Sequence, residues 1–226
     1  MAAAAGSRAP GFGPPALRFF DELADDNSRE FWTAQLDVFE REVKEPMAAL
    51  LESLPEPYES FRVFRMNRDL RFTKDKSPYK TQHSAVLGAD GIDYYVHIDA
   101  AGFLAGCGIY QMERDQLERY RTAVDDDRSG QALERILADL EGQASVSAMG
   151  AEPLKTAPRG FTTDHPRIDL LRRKGVVAHR MLTGSALAKG PTVRTFVLDL
   201  FEAADPLSRW LRLHVGEAAE RTEPGR

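Results

Sequence analysis

The chain has 226 residues, 42% of them hydrophobic and 29% charged, enough to bury a substantial core as one domain. Its one cysteine, Cys107, excludes an internal disulfide and points to a reducing compartment, most simply a cytoplasm. No apolar run approaches the roughly 20 residues that cross a bilayer, and a net charge of −5 argues against broad non-specific binding to nucleic acid.

The opening residues are rich in Ala, Gly and Pro, and no apolar stretch follows Arg8. They read as a disordered leader over 1–12 and not as a secretory signal. A short helix is expected over 16–24, where Leu17, Phe20 and Leu23 share one face. Asn27-x-x-Glu30 has the spacing of a capping box for the next helix. Trp32, Leu36, Phe39, Val43, Met47, Leu50 and Leu54 then step by three or four and form one apolar stripe, with a kink or a fresh start at Pro46. That stripe reads as core.

Strands are expected over 61–66, 82–87, 93–100 and 103–110, the last three joined by turns at Ala89-Asp90-Gly91 and Ala101-Gly102. In the middle strand Tyr94, Val96 and Ile98 alternate with Tyr95, His97 and Asp99, which assigns the first three to the core face. Helices follow over 113–124 and 128–141, with Asp125, Asp126 and Asp127 placed to cap the second. A loop rich in Gly, Pro and Thr leads to a short helix over 167–173, a strand over 175–182 and helices over 192–203 and 206–215. The expected fold is α+β: an antiparallel meander sheet of about four to five strands packed by N-terminal and C-terminal helices. It forms a single domain over 13–216, with a flexible tail over 217–226.

Charge is unevenly distributed. Residues 61–80 and residues 155–180 each carry seven basic side chains against two aspartates, a net of +5 apiece, which leaves −15 for the rest. In the first segment Arg62, Arg65, Arg68 and Arg71 recur at intervals of three, followed by Lys76, Tyr79 and Lys80. Guanidinium groups are planar forks that grip phosphate or carboxylate bidentately. Arg65, Arg68, Arg71, Lys76, Tyr79 and Lys80 are therefore candidate ligand contacts, with Asp69 and Asp75 orienting them. Lys76 and Tyr79 are the candidate proton donors should a reaction occur. The structural alternative is an Arg–Asp network that satisfies the loop itself.

The second segment offers Lys155, Arg159 and His165 around Gly160. It would complete one cleft if it folded against the first, or Asp164-His165-Pro166 would merely cap the helix beyond it. The five histidines show no paired metal-ligand spacing, and no metal or cofactor is expected. Cys107 sits between Gly106 and Gly108 and reads as a small buried residue, the glycines permitting close packing on the sheet.

The run RVFRMNRDLRFTKDKSPYK at 62–80 resembles the signature of a family of bacterial and fungal proteins in the domain-of-unknown-function series, number 2461. FFDELADDNSREFW, YYVHIDAAGFLAGCGIY and LKTAPRGFTTDHPRIDLLRRKG extend the likeness from about Phe12 to Val215. One departure is His83-Ser84, near which the family leads one to expect a glycine. The resemblance implies an α+β fold and brings no established activity, substrate or cofactor. Three functions stay open. The first is a pocket for a small anionic ligand. The second is a structural or protein-interaction scaffold built on the Arg–Asp cluster. The third is nucleic-acid or polyanion binding, with Phe64, Phe72 and Tyr79 stacking on bases.

Overall fold

The computed structural model describes residues 10–71, 75–88, 92–147 and 152–219. The expected turn at 89–91, and the outer parts of the leader and tail, lie outside them. The elements in chain order are helices α1 (Pro14–Asp25), α2 (Arg29–Ala34) and α3 (Leu36–Phe39), a π-helical segment (Glu40–Lys44), α4 (Glu45–Glu52), then strands β1 (Phe61–Val63), β2 (Gln82–Leu87), β3 (Asp93–Asp99) and β4 (Phe103–Ile109). Helices α5 (Arg114–Asp125) and α6 (Asp127–Glu141), strand β5 (Ser145–Ser147), helix α7 (Ile168–Leu171), strand β6 (Val176–Leu182) and helices α8 (Gly190–Ala203) and α9 (Asp205–His214) complete it. No helix among the described residues is long and apolar enough to cross a membrane.

All strand pairs are antiparallel, in the order β1-β2-β3-β4-β6-β5. The fold is thus the α+β meander that the alternating runs imply. The five anticipated strands are present, and β5 adds a sixth of only three residues. The first strand stops at Val63, short of the expected 66, because the chain leaves the ladder into the Arg-rich loop.

Registers fix which side chains share a face. Tyr94, Val96 and Ile98 of β3 stand with Ala85 and Leu87 of β2 and with Phe103, Ala105 and Cys107 of β4, and all are buried. The C-terminal helices cover this face: Phe201 of α8 lies 4.8 Å from the Tyr94 ring, and the Tyr94 hydroxyl meets Ser208 Oγ of α9 at 3.0 Å. Cys107 is fully enclosed here, and burial pushes its thiol up to about 12, so it is inert as a nucleophile. Gly108 is required by the sheet: its φ is +146°, and a Cβ there would collide with the Val176 backbone. The other, outer face carries Gln82, Ser84, Tyr95, His97 and Asp99.

One expectation at the N-terminal helices is corrected. The cap of α2 is Ser28, whose side chain accepts the Phe31 N–H at 3.1 Å. Asn27 reaches instead across to residue 79, as described below. The apolar stripe runs over several segments: the chain breaks at Gln35 and again over the π-helical segment, and α4 begins at Glu45, the fresh start expected at Pro46. There the Glu45 N–H bonds to the Glu40 carbonyl, one residue further back than in an α-helix. Pro46 brings no N–H to the ladder, and the wide turn immediately before it absorbs that mismatch.

Candidate functional site

The Arg-rich loop, residues 64–81, joins β1 to β2. Its backbone is pinned at several points: Lys80 N–H donates to Met66 O at 2.8 Å, and Arg68 N–H donates to Pro78 O at 2.9 Å. Asn27 clamps it to the helices, accepting the Tyr79 N–H at 2.9 Å and donating to Tyr79 O at 3.2 Å. The Tyr79 ring stacks on Trp32, with centroids 4.4 Å apart and planes at 12°. Such a pair adds about 0.5–1.5 kcal/mol beyond area burial. Tyr79, 7% exposed, therefore belongs to the core that locks the loop.

The loop partly neutralises itself. Arg71 pairs with Asp69 at 2.6 Å, and Arg68 pairs with Asp75. The Asp69 carboxyl is held down to about 2 by hydrogen bonds from Arg71. Asp75 is held low first by Ser77 and then by Arg68. Lys76 Nζ donates to the Leu70 carbonyl at 2.9 Å. Arg71, Lys76, Asp69 and Asp75 thus close the loop on its own groups.

Arg65 and Lys80 behave differently. Among the described residues neither has a carboxylate partner. Burial, followed by the charges of Arg65 and Arg68, pushes the Lys80 ammonium below its ordinary value. Lys80 Nζ lies 5.2 Å from the Phe64 ring centroid, and the Arg62 guanidinium lies 4.9 Å from the same ring. Positive charge has gathered here with only partial compensation: Arg68 is paired with Asp75, and Arg65 helps to hold the Asp69 carboxyl down without an ion pair to it.

The second basic segment does not join it, and the single-cleft expectation is corrected. The Arg-rich loop sits where β2 begins and β6 ends, on the β1–β2 side of the sheet. The loop holding Lys155 and Arg159 runs between β5 and β6, at the other edge and at the opposite strand ends. Of this segment, His165 and Arg167 serve the α5–α6 corner. His165 Nε2 lies 3.0 Å from Asp125 and its Nδ1 takes the Arg167 N–H. Arg167, 5% exposed, donates to Val124 O and Asp125 O and pairs with Asp127 at 2.9 Å. Gly130 makes room for it, since a Cβ there would lie 2.5 Å from Arg167 Nε. Lys155 and Arg159 are exposed.

The outer sheet face adds groups that sequence spacing only half revealed. The Tyr95 hydroxyl accepts a hydrogen bond from Gln82 Nε2 at 2.8 Å and lies 3.2 Å from His97 Nδ1. His97 Nε2 lies 3.4 Å from Asp99 Oδ2. Alternation along β3 placed Tyr95, His97 and Asp99 on one face. That Gln82 and Ser84 join them needs the β2–β3 register. No group of three or more His, Cys, Asp or Glu side chains suited to a metal occurs among the described residues.

No curated protein and no solved structure matches this chain. A family model described as a conserved hypothetical protein (DUF2461) matches residues 15–210, most of the fold and the whole Arg-rich loop, and the chain belongs to that family.

Proposed function

We propose that this protein binds a small ligand bearing phosphate or carboxylate, in a cytoplasm, with Lys80 and Arg65 as the principal contacts and Arg68 beside them. One observation carries this reading: Lys80 is half-buried and crowded by two guanidinium groups, with no carboxylate partner among the described residues. An arriving anion relieves that repulsion, and a charge-assisted bond to a partly desolvated ammonium is stronger than one in open water. Arg71, Lys76 and Tyr79 set the shape of the loop that presents these groups.

A thermal-shift panel of phosphorylated and carboxylated compounds tests this. A compound present at 100 times its Kd stabilises by about 2.7 kcal/mol, which raises the melting temperature of a domain this size by about 5–10 °C. The shift should vanish in Lys80→Met. Silence across the panel sinks the proposal. The scaffold reading is favoured by the Arg68–Asp75 and Arg71–Asp69 pairs, and it expects Lys80→Met to change no binding at all. Retention on heparin that collapses with salt would instead favour a polyanion partner.

A further inference from the structure

The cationic rim and the outer sheet face are continuous. Phe64 N–H donates to Ser84 O at 2.9 Å, so the two residues oppose each other and their side chains share the outer face. The Phe64 ring carries both Arg62 and Lys80, which brings two cations beside Ser84. Next to Ser84, on the same face, stands the chain Gln82–Tyr95–His97–Asp99.

Proton positions follow from the chemistry of this chain. Burial opposes ionisation of Asp99, but hydrogen bonds from His97 and from the Ala101 and Gly102 N–H groups outweigh it and hold the carboxyl below its usual range. A carboxylate offers only lone pairs, so the ring nitrogen facing it, Nε2, is the one that donates, and Nδ1 faces the Tyr95 hydroxyl. Burial raises the Tyr95 phenol above its ordinary value, so it keeps its proton and gives it to Nδ1 as a hydrogen bond. The Tyr95 oxygen then receives both the Gln82 N–H and the Ser84 hydroxyl, and is fully engaged. Gln82 Oε1 has no partner among the described residues. The acceptors this patch has left to offer are Gln82 Oε1 and the Asp99 carboxylate. The rim beside it presents only donors.

A bare anion uses the rim alone. A ligand that satisfies both halves carries an anionic group and, close to it, hydrogen-bond donors. Hydroxyls suit the second role better than an ammonium, because Arg62 and Lys80 repel a further cation. We propose that the outer face is the second half of the anion site, and that its ligand is a phosphorylated polyol such as a sugar phosphate. The phosphate meets Lys80, Arg62 and Arg65, and the hydroxyls donate to Gln82 Oε1 and Asp99, with Tyr95 holding the Gln82 amide in place. This inference rests on the anion-site reading above.

Calorimetric titration of the full chain with ribose 5-phosphate, inorganic phosphate and ribose separates the two claims. Ribose 5-phosphate should bind at least tenfold more tightly than phosphate, and ribose should not bind detectably. Gln82→Leu, which removes a ligand contact, should erase most of that tenfold advantage, and Tyr95→Phe, which only frees the Gln82 amide to turn, should erase part of it, both leaving phosphate affinity unchanged. Lys80→Met should weaken both phosphorylated ligands. Equal affinity for ribose 5-phosphate and phosphate overturns the polyol inference and leaves the anion site standing. Binding of phosphoethanolamine as tight as that of ribose 5-phosphate overturns the choice of hydroxyls. Failure of every phosphorylated compound overturns the polyol phosphate inference, and failure of the carboxylated compounds as well overturns both readings.

Discussion

Residues 61–80 and residues 155–180 carry the same net charge and similar mixtures of Arg, Lys and Asp, yet the fold treats their most enclosed cations, Lys80 and Arg167, in opposite ways. In the second segment Arg167 is driven into the α5–α6 corner, where two backbone carbonyls and Asp127 receive it. In the first, Arg68 and Arg71 find carboxylates in their own loop, while Arg65 and Lys80 find none among the described residues. Charge counted along a chain says nothing about availability. What decides it is whether neighbouring elements bring acceptors, and α5 and α6 do so at Val124, Asp125 and Asp127.

The largest effect should come from the buried member of the comparison. Arg167→Met leaves the Val124 and Asp125 carbonyls without donors in a packed corner, a loss of about 2–4 kcal/mol in chemical denaturation. A loss below about 1 kcal/mol would mean that something else holds the corner.

His83 extends the contrast to a group that must stay uncharged. It is 4% exposed on the core face of β2, with its ring edge-on to Phe39 and neither ring nitrogen hydrogen-bonded among the described residues. Burial and then Lys44 push its pKa down to about 4, with Glu40 opposing and Lys80 adding slightly. Between pH 6.5 and about 4 the unfolded chain therefore holds a proton that the folded chain does not. Stability is lost as pH falls through that window, by up to about 3 kcal/mol. His83→Leu should flatten the pH dependence of denaturation there. An unchanged slope would show that other groups govern acid unfolding.

At the rim, Lys80→Met should weaken phosphate binding at least tenfold in titration while the protein stays folded. Retained affinity would move the site elsewhere. The smallest effect belongs to Arg71→Ala. Its pair with Asp69 is exposed, such pairs contribute little, and the melting temperature should not move. A large drop would show that Arg71 does more than this contact.

Much of the fold was legible because burial writes itself into alternation. Tyr94, Val96 and Ile98 announce a one-sided strand, and the steps from Trp32 to Leu54 announce a helical stripe. The misreadings share a cause, which is competition from distant partners. Asn27 has a cap's chemistry, but its side chain is engaged by the Tyr79 backbone 52 residues on, so Ser28 takes the role. β5 has too few residues to show a period. For the site, the chemical types were readable in the Arg-rich run. Its division into paired and unpaired cations was not, because that depends on side-chain contacts. The contribution of Gln82 and Ser84 depends on register.

The Asn27 clamp has a kinetic consequence. One amide side chain fastens the loop to the junction of α1 and α2 through both its oxygen and its nitrogen, and the adjoining Trp32–Tyr79 stack must part before the strap can lift. The Tyr79 amide should therefore exchange with deuterium only when the whole N-terminal helical layer detaches from the sheet edge. It becomes a single-proton clock for that detachment, and a ligand seated on Lys80, the next residue, should slow it.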